Sequence, residues 1–243
     1  MLNDSRNLST FMFNHYLTEL KDIYLPKLKE SEQRNLNICR TPLYEIDQYV
    51  KEKLVQYERR LKREEKEYRD KRNYVVFDLE TTGLSPINNE ITEIGAVKVI
   101  DGKISDTFEM LVKPNQKISQ KITDITGITN EMVKDKPPIE EVLPKFIEFI
   151  GGLPLVAHNI DYGFLYENYN RVYKKEFKRK KSCTMKMYRK WYKEQYDENA
   201  PCAKLGDVVL ELLGNEEYLS YLSNSHRGLN DAEFTQKVYE NLI

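Results

Sequence analysis

Apolar residues recur at intervals of three and four through Leu43, Ile46, Val50, Leu54, Tyr57 and Leu61, the period of one face of an α-helix. Lys, Arg and Glu fill the positions between and after them, culminating in RRLKREEKEYRDKR at 59–72. Pro42 suits a first helical turn, and no Gly or Pro follows it before Asn73. The pattern therefore predicts one long amphipathic helix over 43–72. Its apolar stripe fits either packing on its own domain or homodimerisation through a short coiled coil. Upstream, FMFNHYL and IYLPKLK predict short helices within residues 1–42.

From Asn73 onward the pattern changes to α/β. The run YVVF at 74–77 predicts a buried strand, and ITEIGAVKVI at 91–100 a long one. Asp101-Gly102 is a hairpin turn signal leading into KISDTFEMLVK, so three strands follow in succession with antiparallel pairing. Ile139, Val142, Leu143, Phe146, Ile147 and Ile150 trace a helix face. Pro144 predicts a kink or a delayed start there, and Gly151-Gly152 ends the helix. LPLVA at 153–157 reads as another short buried strand, with helical stretches around 162–175, 184–195, 203–213 and 229–241. The division this implies is a helical extension over 1–72 and an α/β domain over 73–243.

Composition narrows the class. The 243 residues are 32% charged with a formal net charge of −1, so any electrostatic partner is met by local clusters rather than by overall charge. No apolar run approaches the roughly 20 residues that span a bilayer. The N-terminus lacks the apolar core of a secretory signal. Cys39, Cys183 and Cys202 form no CxxC pair, which signals neither a zinc site nor a disulfide framework. A cytoplasmic protein with no membrane association is expected.

Four acids and one histidine stand out. Side chains alternate along a strand, so Asp78 and Glu80 at the end of the first strand project together. Two adjacent carboxylates need either a cation or an exposed rim, because desolvating each costs several kcal/mol. Thr81, Thr82 and Gly83 follow as a turn-forming run. Asp161 lies where LPLVA gives way to a helix, a place for functional side chains on an α/β sheet and also for an N-cap. In SHRGLNDAEF, His226 stands five residues before Asp231. It reads as a surface histidine or, beside an acid that binds metal, as a base with a pKa near neutral. The stretch VYKKEFKRKKSCTMKMYRKWY is basic with interleaved aromatics. It fits phosphate and base contacts, or a solvated helical face whose aromatics are buried.

FDLETTGL, AHNIDYGFL and HRGLNDAEF, with ITDITGITNEMVKDKPPI between the first two, resemble the motifs of the DEDDh superfamily of 3′–5′ exonucleases. This group contains the proofreading exonucleases of bacterial DNA polymerase III. The resemblance covers residues 73–243 and implies a ribonuclease-H-like mixed five-stranded sheet flanked by helices. It implies Asp78, Glu80, Asp161, His226 and Asp231 as the catalytic set. Only Ile160 separates His158-Asn159 from Asp161, where the family has more residues, so this loop is shortened.

The cofactors implied are two Mg²⁺ or Mn²⁺ ions, consistent with hard carboxylate ligands and no thiolate. Such ions lie about 3.5–4 Å apart when they stabilise both the attacking and the leaving oxygen of a phosphodiester. Asp78, Glu80, Asp161 and Asp231 are the implied metal ligands, with His226 as base. By the same resemblance Thr81, Thr82 and Gly83 are placed at the terminal nucleotide, approaching it with backbone N–H groups, and Thr126, Gly127 and Ile128 as an apolar wedge against a base. Ordinary turn and helix-end packing is the alternative for both triplets. The expected activity is release of nucleoside 5′-monophosphates from a single-stranded DNA 3′ end, in proofreading or repair, with a DNA polymerase as partner. An exoribonuclease uses the same chemistry, and a non-catalytic nucleic-acid or polymerase-binding module is the reading from a different class.

Overall fold

The computed structural model describes residues 43–243 apart from Ile160 and Asn224, with only the backbone at 43–54, 57 and 58. The short helices expected within 1–42 lie outside the described residues. So do all of the expected stripe side chains except half-buried Leu61. Helix α1 runs Leu43–Arg72, in agreement with the apolar period. Residues 64–243 form one compact unit, which holds every strand among the described residues.

Five strands make one mixed sheet in the order β3-β2-β1-β4-β5. These are β1 (Tyr74–Thr81), β2 (Ile91–Ile100), β3 (Lys103–Leu111), β4 (Leu155–Ala157) and β5 (Lys181–Cys183). The short turn at Asp101-Gly102, with φ of 52° and 74°, makes β2 and β3 antiparallel neighbours. β1 pairs antiparallel with β2 and parallel with β4, and β4 pairs parallel with β5. The last turn of α1 is tied to this hairpin: Arg72 Nη2 donates to Asp101 O at 2.6 Å and Gly102 N donates to Arg72 O at 2.9 Å.

Between β3 and β4 come α2 (Gln120–Thr126), α3 (Asn130–Val133) and α4 (Ile139–Ile150). α4 starts at Ile139 despite Pro144 inside it, so the delayed start expected from that proline does not occur. The ring leaves the Glu140 carbonyl without its helical donor, a local loss that the buried face of Val142, Leu143, Phe146 and Ile150 outweighs. α5 (Asp161–Tyr173) links β4 to β5, and α6 (Thr184–Tyr196), α7 (Leu205–Leu213), α8 (Asn215–Leu222) and α9 (Gly228–Leu242) complete the chain. Among the described residues no helix is long and apolar enough to cross a membrane.

Alternation along β1 divides the core. Val75, Phe77 and Leu79 pack against α4 and α5, while Tyr74 and Val76 pack against α9. Asp78 and Glu80 continue the Tyr74–Val76 face. The strand thus delivers both acids beside α9.

Candidate active site

Three elements converge on the end of β1. β1 supplies Asp78 and Glu80, and its pairing with β2 shifts register between Glu80 and Thr81, which ends the regular ladder at the acids. α5 begins at Asp161, just after β4. α9 brings Asp231 in its first turn. The approach of α9 depends on two glycines. A Cβ on Gly95, the β2 partner of Asp78, would lie 1.9 Å from the carbonyl carbon of Gly228. Gly228 opens α9, and its own Cβ would lie 2.8 Å from Gly95 N. Backbone therefore meets backbone, and no side chain fits between helix and strand.

Glu80, Asp161 and Asp231 are buried and Asp78 is partly exposed. Loss of hydration is the largest cause raising the proton affinity of each carboxyl. For Asp78, pushed well above the ordinary carboxylate range, the charges of Asp161, Asp231, Glu80 and Glu93 add to it. Asp161 is likewise raised, with Glu80 the leading charge. Glu80 is raised to about 8, with Asp231 and Glu93 adding and Arg227 opposing. Asp231 is raised to about 7, although the His226 N–H, donating to Oδ1 at 3.2 Å, works against the rise. Among the described residues none of the four is in an ion pair with Lys or Arg.

This donor set fits a hard divalent cation. Ligand atoms of Glu80, His226 and Asp231 all lie within 4.8 Å of one another. Asp161 Oδ2 is buried with no hydrogen-bond partner, an orphaned acceptor of the kind that calls for an explanation in a native structure. A measurable consequence concerns pH. Because the folded-state affinities are raised, the folded protein binds more protons than the unfolded chain between about pH 4 and the raised values, so stability falls as pH rises through that window. In chelator, the melting temperature should drop between pH 5.5 and 8. Saturating Mg²⁺ or Mn²⁺ should remove most of that drop. At roughly 2–4 °C per kcal/mol for a domain this size, differential scanning fluorimetry resolves the effect. A chelated protein with a flat pH profile would contradict the carboxylate geometry.

The remaining expected residues are placed unequally. His226 is exposed and has φ 63°, in the left-handed region. Thr81 donates from Oγ1 to Gly83 O at 2.6 Å, and the Thr82 N–H is already given to Glu90 O at 2.9 Å. Gly127 caps α2 with φ 70° and Thr126 is buried. Ile128 is 0% exposed, packed with Ile118 and Val133, so it cannot be the wedge expected there. The exposed apolar side chain in that segment is Ile125. His158 is also structural: Nε2 donates to Ala203 O at 2.9 Å and Nδ1 accepts from Thr184 Oγ1 at 2.8 Å. Burial lowers its pKa, which keeps the ring neutral in that clamp.

Two residues are inconspicuous in the sequence. Glu93 is fully buried and pairs across the ladder with Glu80. It accepts from Arg227 Nη2 at 2.7 Å, Arg227 Nε at 3.2 Å and Gly228 N at 2.9 Å. This two-toothed ion pair fixes the loop that carries His226, and Arg227 reaches on to Glu109 of β3 at 3.3 Å. The available signal was an acid inside the otherwise apolar strand ITEIGAVKVI.

The mixed sheet, with acids gathered at the end of its central strand β1, defines the ribonuclease-H-like class of nuclease folds. Residues 75–239 match the RNase_T exonuclease family, and the chain belongs to it. It is 42% identical over 167 residues to the DNA polymerase III PolC-type protein of Clostridium perfringens, which covers 68% of this chain and 11% of the relative. Its identity to the protein of the same name from Thermotoga maritima is 40% over 169 residues, 68% of this chain and 11% of the relative. The chain thus spans about a tenth of the length of these relatives. Among solved structures, E. coli exonuclease I bound to a dA16 oligonucleotide has a TM-score of 0.57 at 16% identity, covering 68% of this chain and 39% of that one. A 3′-exonuclease described in recognition of a histone mRNA stem-loop has a TM-score of 0.55 at 22% identity, covering 80% and 73%. At these identities the structures bear on the fold alone.

Proposed function

We propose that this protein is a divalent-metal-dependent 3′–5′ exonuclease that degrades single-stranded DNA ends to nucleoside 5′-monophosphates. The observation that carries the reading is the convergence of Asp78, Glu80, Asp161 and Asp231 with raised proton affinities and, among the described residues, no ion pair to Lys or Arg. Two Mg²⁺ or Mn²⁺ ions would be held by the carboxylates of Asp78, Glu80, Asp161 and Asp231. When bound, they supply charge stabilisation to the attacking and leaving oxygens of the phosphodiester.

The chain's own contribution is to orient and to move a proton. His226 accepts the proton of the attacking water as its oxygen bonds to phosphorus and the bond to the 3′ oxygen of the preceding nucleotide breaks. The Glu93–Arg227 pair holds the His226 loop against β2 while this happens. Thr81, Thr82 and Gly83 line the approach of the terminal nucleotide at the end of β1. The relatives' name, DNA polymerase III PolC-type, supports DNA as the substrate and a DNA polymerase as partner; proofreading in the cytoplasm is the setting this reading implies. Catalysis is assigned to residues 73–243, with 1–72 as an extension.

The decisive experiment is turnover of matched single-stranded DNA and RNA oligonucleotides with Mg²⁺, Mn²⁺ or EDTA. DNA shortening from the 3′ end, abolished by EDTA, supports the reading. Full turnover in EDTA overturns it, and a preference for RNA replaces the substrate. His226→Ala should slow single-turnover hydrolysis by roughly two to four decades, the usual range for a lost general base. Metal affinity by calorimetry should stay close to wild type if His226 is a base. A large loss of affinity would make it a ligand instead.

A further inference from the structure

The basic, aromatic-rich stretch at 171–192 separates into two parts in the structure. In α6 the rings are spent on packing: Tyr188 stacks with Trp191 at 5.8 Å, and Tyr192 lies 4.6 Å from Tyr196. The segment before it differs. Lys174, Lys175, Lys178, Arg179, Lys180 and Lys181 crowd into eight residues with a single acid, Glu176. Lys178 pairs with Glu176 at 2.8 Å and Lys180 with Asp70 at 3.0 Å. Phe177, Arg179 and Lys181, the alternate residues, instead line a cavity of about 470 Å³. Neither Arg179 nor Lys181 is in an ion pair among the described residues.

The opposite wall of the cavity comes from α5 and from the loop that leaves β1. Tyr166 is 38% exposed and contributes its ring. The Tyr162 hydroxyl is held between the carbonyl oxygens of Leu155 and Ser182, each 2.7 Å away and only one of them accepting its proton at a time, and its ring, packed edge-on against Phe77 at 5.3 Å, lines the cavity. Lys181 Nζ stands 5.5 Å from the centre of that ring. Glu167 adds one negative charge to the lining against two positive. Pro86 touches Gly163 closely enough that a Cβ there would lie 2.9 Å from its Cγ. With Tyr162 and Gly163 in its lining, the cavity begins one residue after Asp161 in the chain; its Tyr162 and Phe177 rings belong to the Phe77 face of the sheet, and none of the four acids lines it.

Aromatic rings and two cations in one lining match a nucleotide unit: a base has a π-face for the rings and its phosphate a charge for Arg179 and Lys181. We propose that this cavity is a second binding site for the single-stranded polynucleotide substrate, holding a nucleotide away from the cleaved end. The proposal rests on the exonuclease reading above and adds a place where longer strands gain affinity that the terminal nucleotide alone does not.

The test uses the full chain and keeps binding apart from hydrolysis. Binding of a fluorescein-labelled 16-nucleotide single strand is read by anisotropy in EDTA. Hydrolysis of thymidine 5′-monophosphate p-nitrophenyl ester, which carries one nucleotide only, is read with Mn²⁺. The R179E/K181E variant should weaken binding of the 16-mer at least about tenfold and reduce the salt slope, since each phosphate contact on a single strand contributes about 0.7 to it. Tyr166→Ala should weaken binding by roughly tenfold, the usual scale for one base–aromatic stack. Both variants should hydrolyse the ester at the wild-type rate. K174E/K175E, with the same charge change outside the cavity, should leave binding within about threefold of wild type. An equal loss in K174E/K175E, or wild-type binding in R179E/K181E, overturns the proposal. A wild-type protein that binds the 16-mer but never hydrolyses ester or oligonucleotide would fail the exonuclease reading and leave the binding result to stand by itself.

Discussion

Asp78→Ala is expected to reduce hydrolysis by at least about three decades while leaving the protein folded. Stabilisation of a phosphoryl transition state by metal charge is worth several kcal/mol, and about 1.4 kcal/mol corresponds to tenfold in rate. Asp78 is the carboxyl whose proton affinity is raised by all three of the other proposed ligands, so it is the group best placed to be shared. The same geometry makes the variant stable. In chelator the wild-type carboxyl sits poorly hydrated among like charges, and alanine removes that burden. The melting temperature of the chelated variant should equal or exceed that of the chelated wild type, the usual exchange of activity for stability at a strained site. Activity within tenfold of wild type in Mg²⁺ would take Asp78 out of the mechanism. A variant that fails to fold would show that the carboxylate repulsion is not stored there.

Gly95→Ala should have the largest effect on the fold. Its Cβ would stand 1.9 Å from Gly228 C and 2.0 Å from Leu229 N, both backbone atoms at the start of a packed helix. Overpacking a core costs typically about 1–3 kcal/mol. Here no rotamer can move aside, so the upper end of that range or beyond is expected in urea titrations. The helix start must also lift away from β2, carrying Asp231 with it, so activity should fall further than the loss of stability explains. Gly228→Ala should be milder, since its closest approach is 2.8 Å. Gly152→Ala, with nothing within 4 Å of the added carbon, should be close to neutral. Wild-type stability and activity in Gly95→Ala would mean that α9 does not rest on β2 as described.

Some parts of this architecture are legible in the sequence and others are hidden for physical reasons. β1, β2 and β3 are visible because alternation and the Asp101-Gly102 turn are local signals. α4 is visible because a strong apolar face outweighs one proline. β5 is not: Lys181-Ser182-Cys183 is three residues long and polar, and it pairs with β4 alone, so nothing in its composition separates it from a loop. α8, NEEYLSYL, escapes because only Tyr221 of it is buried. The acids Asp78, Glu80, Asp161 and Asp231 can be picked out by motif. Glu93 cannot, because its importance comes from facing Glu80 in the β1–β2 register and meeting Arg227 from the far end of the chain. Ile128 shows the opposite failure: an apolar residue beside a glycine reads as a surface wedge until Ile118 and Val133 are seen to enclose it.

The strand order carries a consequence for the time course of folding. β1, β2 and β3 are consecutive and antiparallel, so Asp78 and Glu80 belong to the part of the sheet built from local contacts. β4, β5 and α9 join through long connections, and contacts of that kind close slowly because loop entropy is lost before they form. Asp161 and Asp231 arrive with these late elements. The four acids are therefore expected to be complete only on the native side of the barrier, where a cation would select the finished fold rather than guide its assembly. Interactions absent from the transition state act on the escape rate. Saturating Mg²⁺ is accordingly expected to slow unfolding and to leave the refolding limb of the chevron where it stands in chelator, which stopped-flow unfolding and refolding check.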